Sequence, residues 1–253
     1  MRSTWALYKR ELLSSFCSPM AYVVLVSFLL FNGMIFYFFM KITASQPAPT
    51  LTGTRGPLQM FFGSTILSVL TPLVFCPALT MRVFAEERRS RTLETLLTAP
   101  VTEESVVCAK FLGAFTVYAT LWVPTLLYAL VVRRYGPVDW TGLGAAYAGT
   151  LLVGGAFLAV GVLMSALARS QVTAFLLSFL VIGGAMFALG LGSYIFNDNE
   201  AVRRFFSYVN LWEHMEHFSV GVVDSRAVVY YTSVIALCLG LTTRALGSSR
   251  EAG

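Results

Sequence analysis

Residues 142–196 read GLGAAYAGTLLVGGAFLAVGVLMSALARSQVTAFLLSFLVIGGAMFALGLGSYIF. Arg169 is the one charged residue in the stretch. An α-helix rises about 1.5 Å per residue, so roughly 20 apolar residues cross the ~30 Å of bilayer hydrocarbon. A soluble surface helix carries one apolar stripe, whereas these two runs are apolar all round. They read as two membrane spans, 142–168 and 172–196, joined by a tight turn at Arg169.

Four more runs pass the same test, at 19–40, 61–81, 111–132 and 227–246. The composition agrees. Charged residues make up 12% of the 253, about half of the roughly 25% usual in soluble domains, while apolar residues reach 57% and aromatics 14%. Mean hydropathy is +0.71. A soluble fold with that much apolar surface would associate. Soluble enzymes, disordered chains and disulfide-stapled domains are excluded, and the expected fold is an all-α integral membrane protein of six spans. The run at 19–40 is too long for the apolar core of a signal peptide and reads as a span. Cys17, Cys76, Cys108 and Cys238 include no Cys-x-x-Cys pair, so they read as free thiols with no zinc site.

Orientation follows from Lys and Arg in the loops. Arg2, Lys9, Arg10, Arg82, Arg88, Arg89, Arg91, Lys110, Arg169, Arg244 and Arg250 fall on one side, eleven of the 18 basic residues. Lys41, Arg55, Arg133, Arg134, Arg203, Arg204 and Arg226 fall on the other. The bias predicts cytoplasmic termini, a cytoplasmic loop 82–110, an external loop 197–226 and a short tail 247–253. The net charge of +5 then reflects these loops and anionic lipid, not nucleic acid. Ahead of the first span, within residues 1–18, Trp5, Tyr8, Leu12 and Phe16 recur at helical spacing, with Lys9, Arg10 and Glu11 off the stripe. That pattern predicts an amphipathic helix at the membrane surface.

The spans hold almost no ionisable side chain, whereas proton- and ion-driven carriers usually do. No G-x-x-x-x-G-K-[ST] occurs, so the chain has no phosphate-cradling loop and is expected to bind no ATP or other cofactor itself. Energy would come from another subunit, and loop 82–110 is the natural contact. Its first half reads as a helix with Glu87 facing Arg91 and an apolar face of Leu93, Leu96 and Leu97. Pro100 ends that helix, and Thr102 caps a second that runs into the third span. A solvated charged loop is the competing reading.

The run Phe84-Ala-Glu-Glu-Arg-Arg-Ser-Arg-Thr-Leu-Glu-Thr-Leu-Leu-Thr-Ala-Pro-Val, followed by Ala109-Lys110-Phe111, resembles the signature of ABC-2 type permease subunits. Residues 213–231, with His217-Phe218, Gly221-Val-Val-Asp224 and Val229-Tyr-Tyr231, resemble the subgroup that includes the gliding-motility permease. The resemblance implies a type V ABC exporter-like arrangement: a permease paired with a second permease chain, homodimeric or heterodimeric, in the cell inner membrane. Two ATPase subunits would carry the ATP and Mg. It places the ATPase contact on Glu86, Glu87, Arg88, Thr92, Leu93, Glu94, Leu96, Leu97, Pro100 and Lys110. Arg91 and Ala109 depart from it, standing where the family has glycine, and both favour continuous helix.

Other features have two readings each. Ser64, Thr65, Ser68 and Thr71 run with Pro72 and Pro77 on the second span. They line a substrate path, or they satisfy backbone freed by the prolines. Gly184, Ala188 and Gly192, and Ala146, Thr150, Gly154, Gly161 and Ser165, let helices approach closely, within the chain or across a dimer seam. Phe205, Val209 and Trp212 predict a helix dipping into the outer interface. Glu213, His214, Glu216 and His217 make an interfacial polar face, or the polar centre of an intramembrane lipid-modifying enzyme, but not an H-E-x-x-H zinc site. An ATP-driven permease, such an enzyme and a non-catalytic scaffold are the competing functions.

Overall fold

The computed structural model describes residues 2–45, 56–63, 66–89, 102–195, 204, 206 and 208–251. The order is α1 (Arg2–Phe16), α2 (Pro19–Ser45), α3 (Pro57–Phe62), α4 (Ile66–Thr80), α5 (Ala85–Arg89) and α6 (Glu103–Trp122). A 3-10 turn (Val123–Thr125) leads to α7 (Leu126–Arg133), α8 (Trp140–Leu167), α9 (Gln171–Ile195), α10 (Leu211–Ser219) and α11 (Ser225–Glu251). No strand occurs among the described residues. Six segments are long and apolar enough to span a bilayer: Ala21–Ser45, Val69–Arg88, Glu103–Arg133, Trp140–Leu167, Gln171–Gly192 and Ser225–Gly247.

Two expected spans differ in detail. The run at 61–81 is not one helix. Pro57 starts α3 at the position where its missing N–H costs nothing, and the helix stops at Gly63 before α4 begins at Ile66. The helix of the third span begins at Glu103, ahead of the apolar run at 111, as a helix capped at Thr102 and running into that span would. Thr102 caps it, its hydroxyl accepting from the Ser105 amide, and Glu103 and Glu104 sit on the positive end. Pro124 then breaks the regular ladder, giving the 3-10 turn before α7.

Helix α8 is the central post, packed against α4, α6, α9, α10 and α11. Asp139 caps its start, accepting from the amides of Thr141 and Gly142, both at 3.1 Å. The Thr141 hydroxyl and these amides hold the Asp139 carboxyl below its ordinary pKa. Along α8, small residues admit the neighbours. A Cβ on Gly154 would meet the Tyr118 ring of α6, and one on Gly161 would meet Thr80 of α4. The Tyr118 hydroxyl donates to the Thr150 carbonyl at 3.2 Å. These fourth-span residues pack within the chain. On α9, Gly192 abuts Phe206, whereas Gly184 has nothing within 4 Å and Ala188 is exposed.

Helix α1 lies along α6, with the Tyr8 hydroxyl 2.9 Å from Thr116 Oγ1. The expected apolar stripe divides: Tyr8 and Leu12 are half-buried against the bundle, while Trp5 and Phe16 stay exposed. Exposed Leu13 joins the latter pair, and that face suits lipid. Helix α10 turns Leu211, His214, Met215 and Phe218 inward at helical spacing, with Phe218 against Gly149. Its end is closed by Gly221 at φ 91°, with the Val222 amide reaching back to the His217 carbonyl at 3.0 Å. Only glycine takes that conformation freely, and a Cβ there would lie 3.1 Å from the Gly142 backbone.

Candidate functional site: an ion-paired joint at the end of the bundle

The turn between α4 and α5 is built by residues from elsewhere. Phe84 is 1% exposed and packs with Val106, Val107, Val162, Ala166 and Leu246. Burying a ring of that size contributes about 1.5–3 kcal/mol. Ser165 of α8 accepts from the Phe84 amide at 3.1 Å and the Ala85 amide at 3.3 Å. Two N–H groups that begin α5 are thereby satisfied. The sequence suggested Ser165 only as a small packing residue; its hydroxyl also holds this turn.

Lys110 closes the joint. Its Nζ donates to Glu87 Oε1 at 2.8 Å, the Val83 carbonyl at 2.9 Å and Glu11 Oε1 at 3.2 Å. The Phe84 ring centroid is 5.2 Å from the same nitrogen. All three ammonium protons are used, and the side chain is 4% exposed. One cation therefore ties α1, α5 and α6 together. A buried ammonium persists only when paired and hydrogen-bonded, and this one is both. Both carboxylates lie within ion-pair distance of the ammonium, Glu87 the nearer at 2.8 Å and Glu11 at 3.2 Å.

The expected contact residues divide accordingly. Glu86 is exposed at the surface of α5, and Arg88 is half-buried. Glu87 and Lys110 face each other rather than outward. Glu87, read from sequence as an exposed partner for Arg91, has its side chain 20% exposed and spent on Lys110. Helical spacing showed which residues share a face on one helix, but not that Lys110 reaches that face. Thr92, Leu93, Glu94, Leu96, Leu97 and Pro100 lie outside the described residues.

Ser64 and Thr65 also lie outside them. Ser68 is on α4. Thr71 is 1% exposed, and its hydroxyl donates to Asn32 Oδ1 at 3.3 Å. Asn32, equally buried, donates to the Phe28 carbonyl at 2.9 Å. This polar pair joins α2 to α4 inside the bundle, and the sequence reading missed it. A lone Asn within the apolar run 19–40 was the available signal.

Of the four polar residues near 213–217, His214 is turned inward, its Nδ1 3.1 Å from the Tyr231 hydroxyl, while His217 is exposed. Among the described residues no three His, Cys, Asp or Glu gather as a metal site. Burial, the larger effect, lowers the His214 pKa below the ordinary 6.5; His217 pushes the same way, and a bond to the Tyr208 backbone, Asp224 and Glu213 oppose. The native state therefore refuses a proton that the unfolded chain accepts. Stability is expected to fall as pH drops below about 6.5, until the folded pKa is passed. Melting temperatures in detergent at pH 7.5 and 5.5 check this. The His214→Gln variant should show a smaller drop than the parent, and equal drops would refute the assignment.

An all-α bundle of six spans with a charged joint at one end defines a polytopic membrane protein of the permease type. A family model described as ABC-2 family transporter protein matches residues 5–242, and the chain belongs to that family. No curated protein matches it. Permeases of this family are in general the membrane component of a transporter that works with an ATPase partner.

Proposed function

We propose that this chain is the transmembrane subunit of an ATP-driven exporter, worked by a separate ATPase that docks on loop 82–110. Both termini and that loop are cytoplasmic in this reading, and the membrane is the cell inner membrane. A second permease chain completes the pore. The likeness of residues 213–231 supports the gliding-motility subgroup.

The observation that carries the proposal is the joint at Lys110. Helix α6 is continuous from Glu103, outside the apolar zone, to Trp122 deep in the bundle. Lys110 clamps its first turns to α5 and α1. A push on the loop would thus move the third span, the end of the second and the surface helix as one body. An ATPase that closes on the loop has a stiff lever to act on.

Leu96, on the apolar face expected from the sequence, tests docking. A leucine buried on docking contributes about 1.5–3 kcal/mol, and an unpaired buried carboxylate costs more. Leu96→Asp is therefore expected to weaken ATPase recovery at least tenfold, at about 1.4 kcal/mol per decade. The check is co-purification of the ATPase with parent and variant permease, with ATP turnover of the recovered complex. Equal recovery would sink the docking claim, since an exposed substitution in a solvated loop stays within about 0.5 kcal/mol.

A further inference from the structure

Beside the joint lies a half-open cavity of about 360 Å³, bordered by α1, α2, α4, α5 and α6. Its lining changes character with depth. Arg10, Ser14, Ser18 and Arg82 line the part near the ends of the helices, together with the Lys110 joint. Val24, Leu79, Ala114 and Val117 line the part within the apolar runs 19–40, 61–81 and 111–132. From Ser18 to Val24, or Lys110 to Val117, is about 10 Å of helix, the scale on which a bilayer passes from headgroup to acyl chain.

The charges are not equivalent. Lys110 has spent all three protons on Glu11, Glu87 and Val83. Arg82 has not: its Nε is buried and has no hydrogen-bond partner. A buried donor left unmet costs about 1–3 kcal/mol, and more on a charged group. A guanidinium is also matched in shape and charge to a phosphate, which accepts two parallel N–H bonds. Arg10, exposed at the mouth, adds a second cation within the same lining.

We propose that this cavity binds a membrane phospholipid, with its phosphodiester on Arg82 and an acyl chain along Val24, Leu79 and Val117. The lining as a whole carries three cations, Arg10, Arg82 and Lys110, and three carboxylates, Glu11, Glu86 and Glu87. Such a balance favours a zwitterionic headgroup over a polyanionic one. The bound lipid would wedge between the surface helix α1 and the ends of α2, α4 and α6. This assignment stands whether or not an ATPase docks on the neighbouring loop.

The test uses the full chain, delipidated in detergent, with phosphatidylethanolamine, phosphatidylglycerol and inorganic phosphate as separate probes. Native mass spectrometry reads occupancy, and melting temperature reads the unliganded fold. Phosphatidylethanolamine should bind and raise the melting temperature, phosphatidylglycerol should bind no tighter, and inorganic phosphate should leave it unchanged. Arg82→Gln should weaken phosphatidylethanolamine binding at least tenfold, with Arg82→Lys recovering part of it. Ala114→Phe fills the apolar part without altering charge and should reduce binding equally, which keeps the test decisive if Arg82→Gln fails to fold. Unchanged lipid binding in Ala114→Phe, or an equal response to inorganic phosphate, would overturn the proposal.

Discussion

Replacing Lys110 with methionine is expected to lower the stability of the detergent-solubilised chain by about 3 kcal/mol. Removing one partner of a buried ion pair usually costs about 3–5 kcal/mol, because the other charge is stranded. Here two carboxylates would lose the ammonium, Glu11 and Glu87. Their side chains keep 27% and 20% exposure, so water takes up part of the cost and the lower end of the range applies. For a chain of this length that corresponds to a melting-temperature loss of roughly 6–12 °C. Adding Glu87→Gln to the methionine variant should recover part of the loss, since one of the two carboxylates no longer has to stay charged beside the other without the ammonium. A cycle of single and double variants isolates the coupling. A change within about 0.5 kcal/mol for Lys110→Met would show that the ammonium is solvated rather than structural.

The same substitution bears on function. If the joint transmits the ATPase stroke, Lys110→Met should lower ATP-dependent transport even at temperatures where the variant is folded. Glu87 is unsuited to a docking test for this reason. Reversing its charge would break the joint and lower recovery of the permease itself, which is why Leu96 is the better probe.

The second large effect is expected at Gly154. A leucine there would drive a branched side chain into the Tyr118 ring, where α4, α6 and α8 meet. Even a few extra methylenes in a packed core cost about 1–3 kcal/mol, and an isobutyl group against an aromatic ring exceeds that. Gly154→Leu is therefore expected to abolish recovery of folded protein, and Gly154→Ala to lower stability by about 1–3 kcal/mol. Gly184 supplies the control. Nothing lies within 4 Å of the Cβ it would gain, so Gly184→Ala should be neutral or stabilising by up to about 1 kcal/mol. The Gly154→Ala variant should melt below the parent and Gly184→Ala at or above it. Equal effects would mean that the contact at Tyr118 does not constrain α8.

The contrast between these two glycines marks where sequence reasoning stopped. Both stand in small-residue runs at four-residue spacing, and their sequence contexts read alike. Spacing shows that a helix can be approached closely on one face. Which neighbour approaches is decided by Tyr118, 36 residues before Gly154 in the chain. Helix α1 shows the same division. Its amphipathic pattern was legible, but the face half-buried against the bundle follows Tyr8 and Leu12, while Trp5 and Phe16 remain outside.

Six spans, the turn at Arg169, the Thr102 cap and the absence of a phosphate-binding loop were all determined by the sequence alone. Each depends on residues within a window of about 30, because transfer into lipid and helix capping are local energies. Only tertiary structure decided the joint and the cavity beside it. Glu11 read as a charge off the surface-helix stripe, and Glu87 and Lys110 as members of the ATPase contact; nothing in the sequence joined residues up to 99 positions apart. Their meeting depends on α1 folding back along α6 and on Ser165 and Phe84 fixing the turn before α5. A charge's partner is set by the packing of whole helices, which no local pattern of residues encodes.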